Sequence, residues 1–241
     1  MTRVRRVTLV GLGAIGASYG ERFLAAPDVD LRVLVNEERK RRYEQSGVRV
    51  NGRRIDFPLY VPADAVEPAD LVLFCVKYDD LADAIEMVRG HVGPETIFLS
   101  LLNGIASEED IQAAFPHHAV LHAISIAIDA VGEGRDVTYS TLGSILFGDA
   151  TGRHADAVGG VGDVFDRAGI SLKRQMTFCE PSGGIYGHGG CNRRRRVRGR
   201  TGGSAVEGAR EVMRRGCAEG GNRQNEAPPS GRRRNGRTIS P

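Results

Sequence analysis

Short apolar runs alternating with polar, glycine-bearing turns set the rhythm of the first 170 or so residues. Residues 7–10 (VTLV) form a β-branched run of the kind found in a buried parallel strand. An amphipathic helix follows at 17–26, then a second strand at 31–36. Residues 48–60 read as a β-hairpin turning at Asn51 and Gly52, a pair suited to a tight type I′ turn. The near-continuous apolar run at 69–77 predicts a central parallel strand. Residues 79–89 predict a helix with Leu81, Ile85 and Val88 on one face. Another strand is expected at 96–102, and Ser107 followed by Glu108, Glu109 and Asp110 reads as a helix cap with acidic first-turn residues. Strands at 120–127 and 142–147, a helix at 156–168 and a short strand at 170–172 complete the series. The alternation predicts an α/β fold: a doubly wound, mostly parallel sheet with a hairpin insert, occupying residues 1–172.

The first strand runs directly into Gly11, Leu12, Gly13, Ala14, Ile15 and Gly16, a complete G-x-G-x-x-G. In a strand–turn–helix setting each glycine has a distinct task. Gly11 permits the tight turn, Gly13 lets a pyrophosphate approach the backbone, and Gly16 lets the helix pack on the strand. The helix N-terminus then offers free N–H groups and a positive dipole end to the phosphates. The motif alone could be an ordinary turn, but its flanking elements supply the context of a Rossmann-like dinucleotide site.

Which dinucleotide is read at the end of the second strand. An NAD enzyme usually places an acidic side chain there, bonded to the ribose 2′-hydroxyl. This chain has Asn36, then Glu37 and Glu38, then Arg39, Lys40, Arg41 and Arg42. Such cations would stabilise a 2′-phosphate, which favours NADP, although the same run also suits the solvated start of a helix. Lys77 and Asn103 fall at the carboxyl ends of the third and fourth central strands, where open α/β sheets bind ligands. There they could fix a cofactor and a keto acid beside it; equally, Lys77 could be a solvated charge and Asn103 a turn residue before Gly104.

The motifs GLGAIG, CVKYDDL and LLNGIASEED, in that order and at these separations, resemble the N-terminal half of the ketopantoate reductase (2-dehydropantoate 2-reductase) family. The resemblance covers residues 4–172. It implies that the residues from Gly11 through Gly16 bind pyrophosphate, that Lys77 lies by the cofactor, and that Asn103 contacts the nicotinamide side and the substrate. It implies NADP as cofactor and reduction of ketopantoate, or a similar 2-keto acid, to the hydroxy acid. Asn36 departs from the family, which often has an arginine there for the 2′-phosphate; Arg39 or Lys40 would have to substitute. The family's proton donor is a lysine in a pattern like K-F-x-x-N-x-x-x-N on the first helix of a C-terminal domain. Lys173 comes too early and lacks the asparagines, and no lysine follows it. The family's catalytic acid is therefore expected to be absent.

Composition changes sharply at the same place. The chain has 241 residues, 41% hydrophobic, and a formal net charge of +3. Residues 179–241 hold 14 Arg and five Glu with no Lys or Asp, so the remainder is net acidic. No leucine follows Leu172, and Tyr186 is the one aromatic residue after Phe178. A Gly/Arg-rich segment of this kind cannot bury enough apolar surface to offset chain entropy, so 173–241 is expected to be a disordered basic tail in place of the helical domain. It admits an alternative function, a nucleotide- or RNA-binding module acting through phosphates, but irregular RGG spacing and scarce aromatics argue against that. A change of reading frame near residues 177–179 is the plainer account. Shifted by one base, Gly codons become codons for Val, Ala, Gly, Asp or Glu, and the run resembles an apolar helix; the nucleotide sequence tests this directly.

Cys75, Cys179, Cys191 and Cys217 show no C-x-x-C spacing, so neither a metal site nor a disulfide framework is expected. With no long apolar run and no signal-peptide pattern, the expectation is a cytoplasmic protein without membrane contact, acting on a small 2-keto acid.

Overall fold

Twelve strands and five α-helices carry the chain through the region described by the computed structural model, residues 3–102 and 106–174. In order these are β1 (Arg6–Val10), α1 (Ala14–Ala25), β2 (Asp30–Leu34), α2 (Glu37–Ser46), β3 (Val48–Val50), β4 (Arg53–Ile55), β5 (Leu59–Tyr60), β6 (Ala69–Phe74), α3 (Leu81–Val88), β7 (Val92–Ser100), α4 (Ala106–Ala114), β8 (Ala119–Ile126), β9 (Val131–Glu133), β10 (Asp136–Thr138), β11 (Ser144–Gly148), α5 (Ala155–Arg167) and β12 (Leu172–Arg174). Single 3-10 turns at Tyr78–Asp80 and Arg89–His91 bracket α3. The expectations for a tail beyond residue 174 lie outside the described residues.

The main sheet has the order β12-β11-β8-β7-β6-β1-β2-β5. From β8 through to β5 every neighbouring pair is parallel, while β11 runs antiparallel to β8. The chain winds outward from β1 in both directions, which makes the gap between the carboxyl ends of β1 and β6 the topological switch point. The doubly wound, mostly parallel Rossmann-like sheet read from the sequence is the one observed.

Strands buried on both faces explain why the central runs are continuously apolar. On one face α1 and α5 meet through Phe23 and Phe165, ring centroids 5.0 Å apart and edge to face, above Leu9, Leu71 and Leu99. On the other, Phe74, Phe98 and Phe115 stack beneath α3 and α4. Leu81, Ile85 and Val88 are all buried there, as their helical spacing requires.

One reading needs correction. The hairpin at Asn51 and Gly52 forms, with φ of 48° and 76°, but it ends at Ile55. Leu59 and Tyr60 leave it to extend the main sheet beside β2, because parallel pairing there satisfies backbone groups that a longer hairpin would expose. On its other edge strand β3 pairs with β10, giving a separate four-stranded sheet, β4-β3-β10-β9, packed along α1. The basic run 39–43 lies inside α2, as the solvated helix start it also suited would have it. That helix buries no residue and is held by local caps: Asn36 Oδ1 accepts the Arg39 N–H at 2.8 Å, and Gly47 ends it at φ 69°. Among the described residues no helix is long and apolar enough to cross a membrane.

Candidate dinucleotide site

At the carboxyl end of β1 the three glycines of the motif meet three different surroundings. A Cβ built on Gly11 would lie 2.7 Å from the Cys75 carbonyl oxygen, and the residue has φ of 100°. A Cβ on Gly16 would lie 1.8 Å from the Gly11 carbonyl oxygen. One glycine is thus required by the turn and its neighbour strand, the other by the seat of α1. Gly13 is different: a Cβ there would meet no protein atom within 4 Å. Its backbone is extended, so no left-handed conformation demands glycine at this position. What the missing side chain leaves is open space at the N-cap of α1, beside first-turn N–H groups that no capping side chain satisfies. Space and donors of this kind fit a pyrophosphate. Leu12 is buried, and Ala14 and Ile15 form the first turn of α1. The helix therefore starts inside the motif, earlier than its amphipathic pattern suggests.

The end of β2 carries the groups that would meet the adenosine ribose. Asn36 is committed to capping α2. Arg39 is half-buried, and its guanidinium has no partner among the described residues. Lys40 is also half-buried, but its Nζ lies 3.8 Å from Asp64 Oδ2 on the loop after β5. The sequence therefore proposed two equivalent cations and the fold makes them unequal. No local signal marks Asp64, which sits in an irregular, mixed loop 24 positions from its partner.

At the end of β6, Lys77 is exposed with no side-chain partner among the described residues, and its carbonyl accepts the Asp80 N–H at 3.0 Å. The next residue, Tyr78, donates its hydroxyl to Asp110 Oδ2 at 2.8 Å, tying this turn to α4. That carboxylate pushes the exposed phenol above its ordinary pKa. Cys75, just before the turn, is a neutral thiol, since burial drives its pKa far up. Asn103, predicted to face nicotinamide and substrate, lies outside the described residues together with Gly104 and Ile105.

The elements on either side of those three residues are tied by a buried polar cluster. Ser107 Oγ donates to Glu108 Oε2 at 2.7 Å and lies 2.8 Å from Ser100 Oγ, which accepts the Leu102 N–H at 3.3 Å. Ser107 is thus not the cap expected of it. It is the second residue of α4, and its hydroxyl is spent joining the helix to the end of β7. Among the described residues no group of three or more His, Cys, Asp or Glu is placed to hold a metal ion.

The family model described as ketopantoate reductase PanE/ApbA matches residues 7–152. The 2-dehydropantoate 2-reductase of Streptococcus pyogenes serotype M6 is 26% identical over 170 residues, 68% of this chain and 55% of that protein. The chain thus spans about half the length of the curated relatives it matches. Among solved structures, the putative 2-dehydropantoate 2-reductase from Enterococcus faecalis superposes with a TM-score of 0.61 at 21% identity, covering 70% of this chain and 56% of that one. A ternary structure of D-mandelate dehydrogenase with NADH and anilino(oxo)acetate superposes at 0.60 and 19% identity, covering 70% and 56%. With the family model matched over more than half of its residues, from the first strand to the turn after β11, the chain belongs to the ketopantoate reductase PanE/ApbA family.

Proposed function

We propose that the sheet domain of this chain binds NADP(H) across the β1/β6 switch point, in the service of reducing 2-dehydropantoate or a closely similar 2-keto acid. The observation that carries the reading is the contrast at the glycine turn. Gly11 and Gly16 are closed in by protein atoms, while a Cβ on Gly13 would meet no protein atom within 4 Å. Two cations with no side-chain partner among the described residues follow the strands on either side of β1: Arg39 in the first turn of α2 after β2, suited to a 2′-phosphate, and Lys77 in the turn after β6, suited to an anionic group of cofactor or keto acid. When bound, the reduced nicotinamide supplies the hydride for the ketone carbon. This chain's part is to hold pyrophosphate on the α1 N-terminus and to orient the ring side through the turns after β6 and β7, with the Asn103 amide contributing by family resemblance.

Proton delivery to the ketone oxygen is a separate matter. The resemblance assigns it to a lysine on the helix expected just after residue 172, and residues 174–241 hold none. We therefore expect cofactor binding with little turnover. NADPH fluorescence titration with and without ketopantoate, followed by a turnover assay, tests both halves. Saturable NADPH binding with negligible oxidation is the expected outcome; absence of binding sinks the cofactor reading, and normal turnover sinks the missing-acid argument.

A further inference from the structure

Because β5 extends the sheet beside β2, the loop that leaves β5 stands next to the opening of α2. Asp64 in that loop is fixed by its own turn. Its Oδ2 accepts the Val61 N–H at 2.9 Å, and its N–H donates to the Val61 carbonyl at 3.0 Å. The same Oδ2 lies 3.8 Å from Lys40 Nζ, with side-chain exposures of 38% for the acid and 25% for the lysine. Arg39, one position earlier on the helix, has no such partner. The two cations nearest the end of β2 thus differ: one is neutralised by an anchored carboxylate, the other is free.

From this juxtaposition we infer that Asp64 is a specificity-determining residue of the dinucleotide site. By holding Lys40 it withholds one cation from a 2′-phosphate, and so sets how strongly the chain prefers NADPH to NADH. The inference rests on the cofactor reading above. Its logic is electrostatic. A fixed carboxylate beside the ribose end repels a phosphate dianion and lowers the positive potential of its neighbour, whereas a neutral 2′-hydroxyl carries no charge for either effect to act on. At the end of β2, Asn36 is committed to capping, and the two acids that follow it, Glu37 and Glu38, lie exposed in the first turn of α2. Asp64 adds to them a carboxylate from the next strand over, and it is the one paired with Lys40. The D-mandelate dehydrogenase of similar fold was solved with NADH, so the architecture alone does not decide the 2′ group.

An ion pair this exposed is weak, so releasing Lys40 should change affinity only about three- to tenfold. The change should shrink as salt is raised, because the groups are partly solvated. The experiment is a set of NADPH and NADH equilibrium titrations on the full chain, comparing wild type, Asp64→Asn, and Asp64→Asn combined with Lys40→Ala. Glu95→Gln, exposed near the start of β7 at the opposite end of the sheet, controls for net charge. Asparagine keeps an oxygen for the Val61 N–H, and thermal melting confirms the fold; Asp64→Ser carries the same test if that variant does not fold.

The expected result is NADPH tightened about three- to tenfold in Asp64→Asn with NADH unchanged. That gain should vanish in the double variant and be absent in Glu95→Gln. An unchanged NADPH-to-NADH ratio in a folded Asp64 variant overturns the inference, as does a gain that survives loss of Lys40. Failure of wild type to bind either nucleotide is a different outcome, because it removes the cofactor reading itself and this inference with it.

Discussion

Gly16 sits so close to Gly11 that a methyl group on the former would overlap the carbonyl oxygen of the latter at 1.8 Å. Backbone, not a flexible side-chain end, occupies that space, so relief would require moving the start of α1 away from β1.

The glycine turn should therefore separate stability from binding. Gly16→Ala is expected to cost at least about 1–3 kcal/mol of stability through overpacking and to abolish NADPH binding. Gly13→Ala, with no protein atom within 4 Å of the new methyl, should change stability by only about 0.5 kcal/mol. Yet it should weaken NADPH by about tenfold or more if a pyrophosphate approaches there. Thermal melts and titrations on the two variants give the comparison, and unaltered NADPH affinity in Gly13→Ala would contradict the cradle.

Arg39→Ala should weaken NADPH about tenfold, the worth of one charge-assisted contact to a 2′-phosphate, while leaving NADH nearly unchanged. Its guanidinium makes no hydrogen bond among the described residues, so the melting temperature should hold. Equal weakening of both nucleotides would move Arg39 out of the 2′ site.

Lys77 allows a similarly clean reading because it is exposed and unpaired. Lys77→Ala should leave stability within about 0.5 kcal/mol of wild type. Affinity for NADPH, or for ketopantoate in its presence, should fall about fivefold or more. Calorimetric titration that shows neither loss would return Lys77 to the role of a solvated strand-end charge.

His91 makes stability depend on pH. The ring is fully buried, near Arg32, Asp64 and the Val61 backbone. Burial first, and Arg32 after it, hold its pKa below the ordinary 6.5, while the Val61 backbone and Asp64 pull weakly the other way. With the folded value depressed, the unfolded chain takes up the proton first as pH falls. The stabilisation is complete above about 6.5 and is lost progressively toward the folded value. Melting temperature should drop as pH is lowered from about 7.5 to 5, and His91→Leu should flatten that slope. An unchanged slope in the variant would assign the pH dependence to other groups.

The sequence by itself determined the central strands and helices, the doubly wound class of the sheet and the place of its glycine turn. Residues 7–10, 69–74 and 96–100 are apolar on both faces, and Leu81, Ile85 and Val88 repeat at helical spacing. Each pattern reports a local period, which needs no knowledge of distant neighbours. The glycine motif was legible for the same reason, since strand, turn and helix are contiguous. Tertiary structure alone decided where Leu59 and Tyr60 go, why Val48–Val50 pairs with a strand nearly ninety residues later, and which of Arg39 and Lys40 is free. It also turned Ser107 from a presumed cap into a tie between β7 and α4. These outcomes depend on groups brought together across long stretches of chain. Pairing and charge neutralisation act through space, and short mixed segments such as residues 61–64 or 131–138 carry no periodicity that foretells their partners.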